Sequence, residues 1–278
     1  MTSSSRRWRT LMAVGLSLLA PSVAAARELR VCADPNNLPF SNDRGEGFEN
    51  RIVDIIARDL GATISYTWWA QRRGFLRNTL LAKRCDLVAG IPVGLEGVRP
   101  TRPYYRSSFV FVSRANGPTV TSLDDEGLPR LTVGVQLAGN DAASTPPAQA
   151  LARRGMTENV RGYLLTGDYE KPNPPARIVD AVATGEIDLA IAWGPMAGYF
   201  AARAHPPLKI APVRPALDGP KGPMVFDIAM GVRRENEDLR REVGAALERH
   251  RGEIDAILAG YHVPRAESAA SESAAVVR

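Results

Sequence analysis

The chain has 278 residues, of which 45% are hydrophobic and 23% charged, with two cysteines and a formal net charge of +5. That balance fits one large or two medium globular domains with real cores and excludes a disordered or fibrous chain. Three of the arginines lie in an expected leader whose loss takes the charge to +2, and the remaining basic residues are scattered. With no basic stripe interleaved with aromatics, nucleic acid is not an expected partner.

Residues 1–26 carry the three parts of a secretory signal peptide: Arg6, Arg7 and Arg9, then the apolar run LMAVGLSLLA, then Ala24-Ala25-Ala26. The apolar run falls short of the roughly 20 residues that span a bilayer. General secretion with cleavage near Ala26 is expected, giving a periplasmic protein with no membrane insertion after signal cleavage.

From residue 29 the pattern alternates. A short apolar strand (LRVCA) ends in the polar turn Asp34-Pro35-Asn36-Asn37, and GFENRIVDIIARDLGA follows as an amphipathic helix. ATISYTWW predicts a strand, QRRGFLRNTLLAKR a helix, and CDLVAGIPV a third strand. This β-α-β-α-β order argues for a parallel sheet with helices on its faces. Loops at the carboxyl ends of such strands bind small molecules, so the 34–40 turn is expected to wall a cleft.

GLEGVRPTRPYYRSS is punctuated by Gly and Pro, FVFVSR is strongly β-prone, and ANGPTVTSLDDEGLP marks a boundary. The theme then repeats: the strand RLTVGVQ, a Gly-rich turn through Asn140 and Asp141, the helix PPAQALARRG, and the strand VRGYLL. ARIVDAVATG, EIDLAIAWG, AGYFAARA and LKIAPV follow as helix, strand, helix and strand. MVFDIAMGV and the two amphipathic helices after it are expected to return to the first unit. The organisation predicted is lobe 1 over 27–114, lobe 2 over 115–224, a return segment over 225–264, and a disordered tail over 265–278.

In an exported protein, Cys32 and Cys85 are either a disulfide, provided their strands are neighbours, or two buried thiols. Chemistry beyond that is sparse. The chain has no G-x-S-x-G, no Walker-type loop and no G-x-G-x-x-G after a strand. His205, His250 and His262 fall in no metal-ligand spacing. No catalytic residue, metal or cofactor is expected. Each of Asp34, Asp141 and Asp168 is either a turn or cap residue or a functional carboxylate.

The strand ends instead supply binding-type side chains. Lobe 1 offers Asp34, Asn36, Asn37 and Phe40 from its first loop, Trp68, Trp69, Arg72 and Arg73 after the second strand, and Pro92 after the third. Arg99, Tyr104, Tyr105 and Arg106 come from the later part of the same lobe. Lobe 2 offers Gln136, Asn140 and Asp141, ahead of a helix whose free N–H groups suit an anion, with Asp168 and Trp193 at further strand ends.

The order of elements and the segments GFENRIVDIIARDLG, CDLVAG, RPYYRSSFVFV, LTVGVQ and GEIDLAIAWGP resemble periplasmic solute-binding proteins of the polar-amino-acid type. The resemblance implies an α/β, two-lobed periplasmic binding protein fold (type II), with two mixed β-sheets flanked by helices and a cleft between. Two positions depart from it. Gly97 falls where amino-acid binders carry a carboxylate-holding arginine, leaving Arg99 and Arg102 as substitutes. Trp193 falls where they place an ammonium-holding aspartate. An α-amino acid would lose two charge-assisted contacts.

CADPNNLPFSN, YTWWAQRRGFLRNTL, RCDLVAGIPVG, VGVQLAGND and GEIDLAIAWGPMAGYF resemble a narrower group, the quinoprotein dehydrogenase-associated (MoxJ/XoxJ-like) binding proteins. That resemblance implies a non-enzymatic accessory of a PQQ-dependent methanol or alcohol dehydrogenase, acting by binding the dehydrogenase or a small-molecule ligand in the cleft. The alternative is the receptor of an ABC transporter for a small organic acid or amino-acid-like solute.

Overall fold

Strand β1 (Arg27–Ala33) sits inside a sheet because Leu29 and Val31 bury one face while Cys32 buries the other. The computed structural model describes residues 27–137, 145–219 and 222–266. The expected leader, the tail beyond residue 266, and Asn140 and Asp141 lie outside them.

After β1 the chain makes the two-residue strands β2 (Asn36–Asn37) and β3 (Ser41–Asn42), helix α1 (Phe48–Asp59), strand β4 (Ala62–Trp68), the single turn α2 (Phe75–Asn78) and strand β5 (Leu87–Pro92). Strands β6 (Val98–Pro100) and β7 (Tyr105–Arg114) follow. Next come β8 (Val133–Leu137), α3 (Pro146–Arg153), β9 (Val160–Leu164), α4 (Arg177–Thr184), β10 (Leu189–Trp193), α5 (Gly194–Ala201) and β11 (Leu208–Pro212). The chain closes with β12 (Val225–Arg233), α6 (Glu237–Arg249) and α7 (Arg251–Gly260).

The strand order is β4-β1-β5-β12-β7-β10-β8-β9, with β6 pairing β12 and β11 pairing β7. β4, β1 and β5 run parallel, as do β10, β8 and β9, while β12 and β7 are antiparallel to their neighbours. β7 belongs to both halves. Tyr105–Ser108 pair with β12, and Phe109–Arg114 pair with β10 and β11. The two sheets expected from sequence are therefore one hydrogen-bonded path, because a ten-residue strand is long enough to serve both.

Apolar cores follow from this layout. α1 turns Phe48, Ile52, Ile55 and Ile56 onto the β1–β5 side, where α6 and α7 add Val243, Leu247, Ile254 and Leu258. The β8–β10 strands bury two further clusters, one under α3 and one under α4 and α5. Phe40, Trp193 and Phe226 each pack against two of these clusters. They mark where the halves meet.

Cys32 and Cys85 form a disulfide. It is buried with Phe75, Leu80, Val88, Ile91 and Val98 behind the β1 turn. The long helix expected over 71–84 does not form. After Asn78 the chain turns, Thr79 Oγ1 donating to the Phe75 carbonyl, and Phe75 and Leu80 drop onto the disulfide instead. Arg265 pairs with Asp255, and the Ala266 N–H donates to the Arg106 carbonyl. The first two residues assigned to a disordered tail are thus held in place, because β7 still has a free carbonyl to offer.

Candidate functional site

Between the two halves lies a cavity of about 310 Å³. Asn37, Phe40, Glu49, Gln71, Gly90, Pro92, Tyr105 and Ile228 line it from the β1–β5 side. Phe109, Gln136, Pro146, Thr166, Trp193 and Phe226 close it from the other. A smaller annex of about 30 Å³ continues past Gln136, Thr166 and Trp193 to Met196. Each wall has a local cause. The β1 turn delivers Asn37 and Phe40, β7 presents Tyr105 and Phe109 two turns of the pleat apart, and Trp193 ends β10 as the N-cap residue of α5.

The aromatic wall is ordered by edge-on contacts. Phe109, Trp193 and Phe226 form a triangle with ring centroids 5.4, 5.8 and 6.3 Å apart. Phe48, behind them, packs edge-on against Phe40 at 5.4 Å and Tyr105 at 6.0 Å. Such arrangements match the ring quadrupoles and fix ring orientation.

Glu49 is the one acid in this wall among the described residues. It is 6% exposed, and no described group hydrogen-bonds or pairs with its carboxyl. Burial pushes it up to about 8, so it is largely protonated at neutral pH despite its place in the first turn of α1, where a helix dipole favours the anion. Gly90 explains how the carboxyl fits: a Cβ there would overlap Glu49 Oε1. Across the cavity, Gln136 Oε1 is buried without a hydrogen-bond partner. Burial also holds Tyr104 and Tyr105 well above the ordinary phenol value, with Glu49 a further cause. Tyr104 Oη donates to the Ala89 carbonyl at 3.0 Å.

Of the residues singled out in the sequence, Asn37, Phe40, Pro92, Tyr105, Gln136 and Trp193 line the cavity. The others have different employment. Asp34 is fully buried and accepts the N–H groups of Asn36 (2.9 Å) and Gln71 (2.7 Å), so it caps the turn that carries Asn37. Asn36 spans the two halves, its Nδ2 donating to the Asp168 carbonyl at 3.2 Å and the Lys171 carbonyl at 2.8 Å. Asp168 enters through its backbone, and its carboxylate lies 3.7 Å from Lys171 Nζ.

Arg72 lies beside Gly167 at the rim, and Arg73 is exposed. Trp68 stacks on Tyr66 with centroids 4.4 Å apart, and Trp69 lies under the Arg84 guanidinium at 5.5 Å. Neither tryptophan lines the cavity. Arg99 is exposed on β6, and Arg106 pairs with Asp227 at 2.9 Å on the other face of β12 from Phe226 and Ile228. Neither Arg99 nor Arg102 lines the cavity.

The anion site expected ahead of α3 is weakened. Its first two positions are Pro146 and Pro147, which have no N–H to offer, and the Thr145 hydroxyl donates to the Gln136 carbonyl. No described residue lining the cavity is an arginine or lysine, and the undescribed stretch 138–144 contains neither type.

Glu49 and Phe226 escape a reading by strand ends. Glu49 looks like an ordinary acidic first-turn residue. The available signal is its spacing: it stands three and seven residues before Ile52 and Ile56, on the buried stripe of α1 rather than with Arg51, Asp54 and Arg58. Phe226 is the second residue of β12, whose run reads as pure core. Among the described residues no cluster of three or more His, Cys, Asp and Glu is arranged to hold a metal, and no helix is long and apolar enough to cross a membrane.

No family model matches the chain. It is 34% identical over 251 residues to Protein MoxJ of Methylorubrum extorquens, covering 86% of this chain and 82% of the relative. Among solved structures it is similar to the periplasmic binding protein XoxJ of Methylobacterium extorquens AM1, at 34% identity and a TM-score of 0.70, over 86% of this chain and all of that one. MxaJ of Methlophaga aminisulfidivorans MPT superposes with a TM-score of 0.74 at 25% identity, again over 86% of this chain and 100% of the other.

Proposed function

This chain belongs to the MoxJ family, and on that premise we propose that it is an exported, non-enzymatic accessory of a PQQ-dependent alcohol dehydrogenase, built on a binding-protein fold. The observation that carries this reading is the cavity wall. A receptor for amino acids or organic acids holds a carboxylate with a cation, and this cavity offers none among its described lining residues while presenting the rings of Phe40, Tyr105, Phe109, Trp193 and Phe226. Desolvating a carboxylate beside Glu49 without a counter-charge would cost several kcal/mol. The ABC-transporter alternative for an organic acid loses its support on the same ground. The similarity to a periplasmic binding protein, XoxJ, supports a periplasmic location, as does the leader in residues 1–26.

We read 27–114 with the return segment 225–264 as one lobe and 115–224 as the other. The antiparallel pairing of β12 with β5 supports the return. Tagged chain expressed in its own host during growth on an alcohol should retain a quinoprotein dehydrogenase through affinity purification, identified by mass spectrometry and by its quinone absorbance. Recovery of the chain without dehydrogenase, together with tight binding of a carboxylate solute, would sink the proposal.

A further inference from the structure

The groups left unmet in the cavity point to one kind of guest. Glu49 is 94% removed from solvent contact by its 6% exposure, yet it lines the cavity and has no described partner. Gln136 Oε1, from the opposite half, is buried and unpartnered. Both residues line the same cavity, Glu49 from one half and Gln136 from the other. Asn37 donates one Nδ2 N–H to Gln71 Oε1 at 3.0 Å. Trp193, Phe226 and Tyr105 line the same space. Buried acceptors without partners are costly, and an aromatic enclosure attracts cations through its ring quadrupoles.

We propose that this cavity is a binding site for a small organic cation that carries no carboxylate, its N–H donors meeting Glu49 and Gln136 Oε1 and its positive charge lying against the aromatic rings. The inference rests on the binding-protein fold of the accessory proposed above and names the class of ligand its cavity takes. The charged groups around Glu49 are few. Tyr104 and Tyr105 on β7 and its approach, and Tyr66 on β4, face it as neutral hydroxyls, and no described lining residue brings a competing cation. Binding is accordingly an exchange. The carboxyl gives up its proton to solvent as the cation enters, and the resulting carboxylate pairs with the bound ammonium. Glu49 adopts a site where burial opposes its charge until a counter-charge arrives.

The test uses three probes of one shape, benzylammonium, benzyl alcohol and benzoate, with methylammonium as a smaller cation, titrated calorimetrically into the full exported chain. At pH 7 an ammonium probe should bind with release of about one proton, read from the dependence of the heat on buffer ionisation enthalpy, and roughly tenfold more tightly than the alcohol. Glu49→Gln, nearly the same shape, should keep the fold by circular dichroism, abolish the proton release and erase the preference for the cation. Benzoate binding as tightly as the ammonium would overturn the proposal. So would silence from both ammonium probes at about 10 mM, where millimolar affinities are visible, or an unchanged cation affinity in Glu49→Gln. If the cations fail while the dehydrogenase is still captured, the accessory role stands and only this ligand class falls. If they bind and no dehydrogenase is captured, the reverse holds.

Discussion

Glu49→Gln isolates the energetic consequence of burying an acid without a partner. The folded carboxyl titrates at about 8 against an ordinary 4.5. Between those values the native state holds a proton that the unfolded chain has released. Stability therefore declines as pH rises through this window, with the full contribution present below 4.5 and lost above 8. Each pH unit of difference is worth about 1.4 kcal/mol, so the whole window amounts to a ceiling of about 5 kcal/mol. Glutamine keeps the shape over Gly90 but does not ionise. The assay is urea unfolding of both proteins at pH 5, 6, 7, 8 and 9. Other titrating groups contribute equally to both, so the difference between the curves reports Glu49 alone. The variant should gain on the wild type by about 3–5 kcal/mol between pH 5 and pH 9. Parallel curves would mean that the carboxyl is solvated or paired, and not buried as a neutral acid.

Three further outcomes follow from the geometry. Replacing Cys32 and Cys85 by serine opens a link that spans 53 residues, and the chain-entropy relation gives a loss of about 4 kcal/mol, visible as a lower thermal midpoint that reducing agent reproduces in the wild type and leaves unchanged in the variant. Asn36→Ala removes the two hydrogen bonds to the Asp168 and Lys171 carbonyls. At about 1 kcal/mol each, this shifts an equilibrium between closed and open lobes roughly tenfold or more, and small-angle scattering should record a larger radius of gyration; an unchanged profile would show that the contact does not hold the lobes. Gly198→Val should cost about 1–3 kcal/mol, because a Cβ at this position of α5 would run into the His262 carbonyl, and an unaltered melting curve would mean that the 261–264 segment shifts freely.

Most of the frame is legible because local signals agree with tertiary demands. The alternation of β-branched strands with amphipathic helices announces a sheet covered by helices, and the spacing in GFENRIVDIIARDLG places α1 within a residue or two. Cys32 and Cys85 meet because β1 and β5 are parallel neighbours in register, Cys32 opposite Val88. The stretch 71–84 misleads for a physical reason. Phe75, Leu76, Thr79 and Leu80 have helical spacing, but burial against a disulfide rewards a turn as well as a helix.

The site is less legible than the frame. Polar residues in loops after strands suggest ligand contacts, yet Asp34 and Asn36 spend their hydrogen-bonding capacity on the turn and on the opposite half. Trp68 and Trp69 advertise an aromatic wall that Phe109, Trp193 and Phe226 supply instead. The pairing of Glu49 with the space above Gly90 joins residues 41 positions apart, and no linear pattern records it. The absent arginine and aspartate, by contrast, are visible in the sequence as Gly97 and Trp193, and the cavity wall bears the same message in its lack of a described cation.

The accessory role requires physical association with a quinoprotein dehydrogenase. Sedimentation velocity of the purified chain mixed with the purified PQQ-dependent alcohol dehydrogenase of the same organism tests it most directly. A faster-moving boundary containing both proteins is expected, saturating with added chain and tracked by the quinone absorbance. Two independently sedimenting species at every ratio, with the chain instead saturable by an organic acid, would contradict it.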